Sequence, residues 1–302
     1  MKAVSSVCLV AVLLVLGHPR LTATEVAKLR FVTAVYADEK AGPLSLPEGV
    51  ACGASGHVVV GDTGNDRLLR FTFQDRAMTG GTEIKIPQLS SPSRVQLNSK
   101  GDIYALDSHH RRIVHLGPDG AFRGVLAFGA APPPATVVPK ALAVDGADNI
   151  YVLDVFSARV LVLGAEGQFR RALTIPGDAG FVSELAVDSA GNVILLDSIG
   201  RRLFSAPKDA GSFAPLGGDL IEFLPTIPAS LTASKGVIFV AEGSGSTIAG
   251  FGRDGSFLAR QLTMGWNEGT LNHPSQMCIN DKDQAFIADR DNSRIQVFQI
   301  TR

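Results

Sequence analysis

"PEGVACGASGHVVVGDTGNDRLLRF", residues 47–71, returns five more times along the chain. "PSRVQLNSKGDIYALDSHHRRIVHL" opens at Pro92 and "PKALAVDGADNIYVLDVFSARVLVL" at Pro139. "VSELAVDSAGNVILLDSIGRRLFSA" opens at Val182, "PASLTASKGVIFVAEGSGSTIAGF" at Pro228 and "PSQMCINDKDQAFIADRDNSRIQVF" at Pro274. The openings are 45, 47, 43, 46 and 46 residues apart. Self-similarity at one period of this length marks an array of like supersecondary units.

Within each copy the elements follow from residue type. Val50, Val95, Leu142, Leu185, Leu231 and Met277 share one offset and start a short first strand. A polar turn follows at Gly56, Gly101, Asp148, Gly191, Gly236 or Asp283, residues that tolerate a positive φ. The second strand ("VVVGD", "IYALD", "IYVLD", "VILLD", "IFVAE", "AFIAD") is apolar almost throughout, as a strand buried on both faces must be. A four-residue loop leads to a third strand, and in several copies a Gly turn ("PDG", "AEG", "RDG") leads to a fourth. Four antiparallel strands recurring every 40 to 50 residues predict an all-β, six-bladed β-propeller.

The sixth copy supplies only three strands before the chain stops at residue 302. "LRFVTAVY" (29–36), a β-prone run ahead of the first copy, is the expected fourth, closing the ring against "RIQVFQI" (294–300). That pairing leaves no open blade edge. The expectation is one domain over 24–302, with repeats starting near 47, 92, 139, 182, 228 and 274.

Residues 1–23 read differently. Lys2 precedes the apolar run "AVSSVCLVAVLLVLG" (3–17), and small residues follow near Ala23. This is the pattern of a secretory signal, too short an apolar run for a typical membrane span. Its removal takes Lys2 and Arg20 and moves the formal charge from −1 to −3. The expectation is an exported monomer, periplasmic or extracellular, with no transmembrane segment once the signal is cleaved. A charge of that sign disfavours nucleic acid as a partner.

The pattern Pro-x-x-apolar, Gly turn, apolar-Asp, loop with Asn, Arg-apolar resembles the NHL repeat, most closely in residues 47–71 and in "ADRDNSRIQVF" (288–298). The resemblance covers all six copies and the closing strand. It implies the propeller and leaves function open, since NHL propellers include RNA binders, protein-binding scaffolds, sensor domains and a few enzymes. The peptide-amidating lyases, six-bladed NHL relatives, use a metal with several His and Tyr residues. Here Tyr104 and Tyr151 fall inside second strands and His109 adjoins His110 in a loop, so no equivalent constellation is visible. Lactonase-like propellers need Glu, Asn and Asp ligands converging on the channel, and Glu184 alone is a candidate channel-mouth carboxylate. No catalytic residue, metal ligand or cofactor is assigned. Calcium or zinc belongs to the alternative reading, a lyase or lactonase at the channel.

Acid–base pairs recur at one spacing: Asp62 with Arg67, Asp107 with Arg112, Asp154 with Arg159, Asp197 with Arg202 and Asp289 with Arg294. A catalytic dyad would occur once; five copies argue for structural ion pairs across the second hairpin of each blade. Glu242 and Thr247 replace the pair in the fifth copy, losing the base. Cys52 and Cys278 sit at adjacent offsets, five and four residues past their Pro, which places them on opposite strand faces. The expectation is two small buried free thiols.

The loops between second and third strands share a face with the connections between blades. Those of copies one, five and six are small and polar. Copies two, three and four carry His109, His110, Arg111, Val155, Phe156, Ile199 and Arg201, an apolar centre between basic flanks with the composition of an interface. Two outcomes stay open: the apolar side chains project as a partner-binding patch, or they fold under the connections and seal the channel. The function expected is a non-enzymatic scaffold binding a protein or an extracellular polymer.

Overall fold

The computed structural model describes residues 27–302, so the signal assigned to 1–23 lies outside the described residues. A strand β1 (Lys28–Val35) precedes six sequential sheets. Blade one is β2 (Gly49–Cys52), β3 (His57–Asp62), β4 (Arg67–Gln74) and β5 (Ala77–Ile84). Blade two is β6 (Pro92–Leu97), β7 (Ile103–Asp107), β8 (Arg112–Leu116) and β9 (Phe122–Val125). Blade three is β10 (Pro139–Val144), β11 (Ile150–Asp154), β12 (Arg159–Leu163) and β13 (Phe169–Thr174). Blade four is β14 (Val182–Val187), β15 (Val193–Asp197), β16 (Arg202–Ala206) and β17 (Ala214–Leu216). Blade five is β18 (Pro228–Ser234), β19 (Val237–Glu242), β20 (Thr247–Gly252) and β21 (Phe257–Gln261). Blade six is β22 (Pro274–Ile279), β23 (Gln284–Asp289) and β24 (Arg294–Thr301), completed by β1.

Every sheet is four-stranded, with pairing antiparallel between neighbours. The protein is thus a six-bladed propeller closed by its N-terminal strand. β1 runs against β24 from Lys28 opposite Thr301 to Val35 opposite Ile295, and Phe31 meets Phe298 edge to face. The turn residues recognised in the repeat all hold positive φ, from +59° at Asp283 to +84° at Gly191 and Gly236. That is a left-handed turn for which Gly carries no Cβ penalty.

Six apolar clusters fill the spaces between neighbouring blades, one per interface. The second strands are buried along their whole length in blades two, three and four. They are sandwiched on both faces, which is why they read as continuous apolar runs. Among the described residues no helix is long and apolar enough to cross a membrane.

The free-thiol expectation is overturned. Cys52 and Cys278 form a disulfide with Cα atoms 5.9 Å apart, a normal bridging distance. Alternation of faces governs residues of one sheet, but these cysteines lie on β2 and β22, the innermost strands of adjacent blades. Side chains from two such strands meet across the ring regardless of offset parity. Thiol titration in denaturant is therefore expected to find neither cysteine reactive. Reduction is expected to lower stability by ~2–5 kcal/mol, because the bridge closes a loop of 226 residues. Two titratable thiols at these positions in unreduced protein would contradict the bridge.

Candidate functional site

The first strands of all blades begin on the face that carries the loops between second and third strands. In every blade but the second, the carboxylate that ends the second strand accepts a backbone N–H from the segment entering the first. Asp154 accepts the Val138 N–H at 3.0 Å, and Asp197 accepts those of Gly180 (2.8 Å) and Phe181 (2.9 Å). Burial would raise the Asp197 pKa, but N–H groups of Gly180, Gly200 and Phe181 overcome it and hold the carboxyl below its ordinary range. Each carboxylate thus ties the residues entering the first strand to the loop beyond the second.

The same carboxylates receive the arginines. Nε lies 2.7 Å from the carboxylate in Arg67–Asp62, 2.9 Å in Arg159–Asp154, 2.6 Å in Arg294–Asp289 and 3.3 Å in Arg112–Asp107. Arg202 reaches Asp197 through Nη2 at 3.4 Å and also pairs with Asp178. In blade five Thr247 donates to Glu242 at 2.6 Å, and the base missing from β20 is supplied by Arg260 of β21, 3.4 Å away. These ten residues are consumed inside the blades and do not converge on one another.

A cavity of about 430 Å³ opens at the channel mouth on this face. Its wall includes Arg94, Arg111, Lys140, Ser275, Arg290 and Glu48. At its base three side chains, Arg94, Glu184 and Gln276, join the inner strands. Strand register shifts next to Arg94 and Glu184, and bulges of this kind re-aim side chains. Arg94 of blade two reaches Glu184 of blade four through Nε (2.7 Å) and Nη2. Its remaining N–H groups donate to Ala229 O (2.9 Å), Ser93 O (2.7 Å) and Ser275 Oγ (3.2 Å). One guanidinium therefore joins blades two, four, five and six. Burial pushes the Glu184 pKa up, and the Arg94 charge opposes that shift. Gln276 of blade six accepts from Val50 N (3.1 Å) and Val95 N (2.9 Å) and donates to Val95 O (3.0 Å), capping the inner strands of blades one and two.

A divalent cation at this mouth would need carboxylates free to ligate. Glu184 has a guanidinium already seated on it, and Glu48 is paired to Arg290 at 2.9 Å, so the residues present do not fit such an ion. Among the described residues no three His, Cys, Asp or Glu side chains converge as ligands.

Of the patch read from sequence, Arg111 and Val155 line the cavity. Phe156 is 59% and Ile199 64% exposed, on neighbouring blades. His109 and His110 are exposed, their rings edge to face, and His110 Nδ1 lies 2.8 Å from Asp107. Arg201 is half-buried. Sequence reasoning missed Phe181 and Ile227, 43% and 56% exposed, which stand just before the first strands of blades four and five. Ser198 N donates to Phe181 O at 2.9 Å, setting Phe181 beside the loop that carries Ile199. The signal was present: the residue preceding each opening is apolar at Leu46, Val138, Phe181 and Ile227. Arg94 and Lys140, which stand near the starts of their first strands, were also missed.

Residues 271–298 match the family model of the NHL repeat. No curated protein matches the sequence. Among solved structures the chain is similar to virginiamycin B lyase from Staphylococcus aureus, with 12% identity and a TM-score of 0.64 over 91% of this chain and 100% of that one. It is similar to a gluconolactonase from Xanthomonas campestris, with 15% identity and a TM-score of 0.63 over 91% and 90%. A chain of the nidogen/laminin complex matches with 19% identity and a TM-score of 0.60 over 72% and 80%. At these identities the likeness is one of fold.

Proposed function

From the premise of a six-bladed β-propeller carrying an NHL repeat, we propose that this protein is an exported, non-enzymatic binding module. The partner, a protein or an extracellular polymer, docks on the face bearing the channel mouth. The observation that carries this reading is the exposure of Phe156, Phe181, Ile199 and Ile227 on one face of three consecutive blades, beside Arg111 and Arg201. Large apolar side chains held in water next to Arg are the makings of an interface core. The five repeated acid–base pairs are absorbed by the blades.

Replacing Phe156 and Ile199 together by Ser tests this. Exposed positions cost little on substitution, so the unfolding midpoint should move by no more than about 0.5 kcal/mol equivalent. Capture of a partner from the periplasmic or extracellular fraction should be lost. Capture equal to wild type would place the binding surface elsewhere.

The second reading, a divalent-metal-dependent lyase or lactonase, draws on the fold shared with a lyase and a gluconolactonase. The Arg94–Glu184 pair speaks against it, since the central carboxylate is neutralised by an arginine. Stoichiometric calcium or zinc retained through purification and removed by chelator would favour the enzyme.

A further inference from the structure

The cations around the cavity are not equivalent. Arg94 spends every N–H on Glu184, Ala229, Ser93 and Ser275, and Arg290 is held by Glu48 and Asp291. Arg111 and Lys140 differ. Both are exposed and line the cavity, and among the described residues neither makes a salt bridge or a side-chain hydrogen bond. The nearby carboxylates of this sector, Asp107, Asp154 and Asp197, are fully buried and already accept backbone N–H groups and arginines. Arg111 closes its loop at a φ of +53°, so the turn itself fixes where the side chain leaves the backbone. Two cations of blades two and three without a direct partner, Lys140 feeling only the charge of the Arg94-bound Glu184, therefore face a concavity whose other side is bounded by the paired Glu48–Arg290.

Immediately outward, blades three to five present Phe156, Phe181, Ile199 and Ile227. A ligand that satisfies the whole surface must carry negative charge and apolar side chains together. An acidic polymer without apolar groups would leave the apolar residues wet, and a flat anionic membrane cannot enter a recessed cavity of about 430 Å³. That volume, by contrast, holds one or two amino-acid side chains within the range of ordinary ligand pockets.

Resting on the binding-module reading above, we propose that the partner presents an acidic, apolar peptide segment, with a carboxylate seated between Arg111 and Lys140 and neighbouring apolar side chains laid on Phe156, Phe181 and Ile199. Charge-assisted hydrogen bonds to the two cations set register, and the apolar surface supplies most of the contact.

The test uses fluorescence anisotropy of a labelled synthetic peptide alternating Glu with Leu and Phe. The wild-type protein should bind it roughly tenfold or more tightly than the same peptide with Gln for Glu, and more tightly than polyglutamate or phosphatidylglycerol vesicles. The variant Arg111→Glu with Lys140→Glu should lose that preference and favour a Lys-containing counterpart, with its far-UV circular dichroism that of the folded wild type. Equal binding of the Glu and Gln peptides, or retention of the preference in the charge-reversed variant, overturns the inference. If Phe156→Ser still abolishes binding in that case, the docking face stands and only its acidic ligand is refuted. If polyglutamate or vesicles bind as well as the peptide, recognition is unspecific electrostatics and the peptide assignment falls.

Discussion

Arg94→Ala is expected to destabilise the protein by about 3–5 kcal/mol, the cost of stranding one partner of a buried ion pair. Removing the guanidinium leaves Glu184 buried in the channel with no hydrogen-bonded cation, only the more distant charge of Lys140, and leaves Ala229 O, Ser93 O and Ser275 Oγ without their donor. Because these partners belong to four blades, the loss is felt around the ring. Against a typical domain stability of about 5–15 kcal/mol the effect is large. Urea unfolding of the variant beside Arg94→Met with Glu184→Met separates the two contributions. The double variant should recover most of the loss, since an apolar pair of similar volume removes the stranded charge. A loss under about 1 kcal/mol in Arg94→Ala would show that the pair contributes little net stability.

Deletion of residues 27–37 is expected to abolish soluble folding. β1 covers the outer edge of β24, and without it eight residues of an apolar strand, "RIQVFQIT", offer their unpaired N–H and C=O groups to other chains. The deletion also strips Ala27, Leu29 and Phe31 from the cluster between blades five and six, and Val32 and Val35 from that between six and one. Their burial contributes on the order of 5 kcal/mol. Size-exclusion chromatography and thermal unfolding check the result. A soluble monomer with the wild-type midpoint would mean that the Cys52–Cys278 bridge alone suffices to close the ring.

The double Ser variant at Phe156 and Ile199 acts in the opposite sense, on binding and not on stability. The contrast follows from position. Phe156 and Ile199 stand in water at loop tips, whereas Arg94 and Phe31 face other blades.

The sequence by itself determined everything that repeats. Val50 and its five counterparts mark first strands, Gly56 and its counterparts the positive-φ turn, and "IYALD" and its counterparts the doubly buried strand. The last copy ends a strand short, and "LRFVTAVY" is the run left over to complete it. Apart from the closing strand, which pairs Lys28 with Thr301, all of this is local: the hydrogen bonds and apolar pattern of a blade lie within about 45 residues, so period and residue type suffice. What only the tertiary structure decided concerns positions where blades meet at the axis. Cys52 reaches Cys278 across 226 residues, Arg94 reaches Glu184 across 90, and Gln276 caps Val95 across 181. The reading of the cysteines as free thiols failed because it applied the parity of one sheet to two strands of different sheets. Glu184 was visible as a lone carboxylate, but its partner was not, because blade two faces blade four only after the ring has closed. Closure converts equal offsets in separate repeats into a circle of facing side chains. Which of them touch depends on the twist, bulges and tilt of six sheets packed together, and no single repeat contains that information.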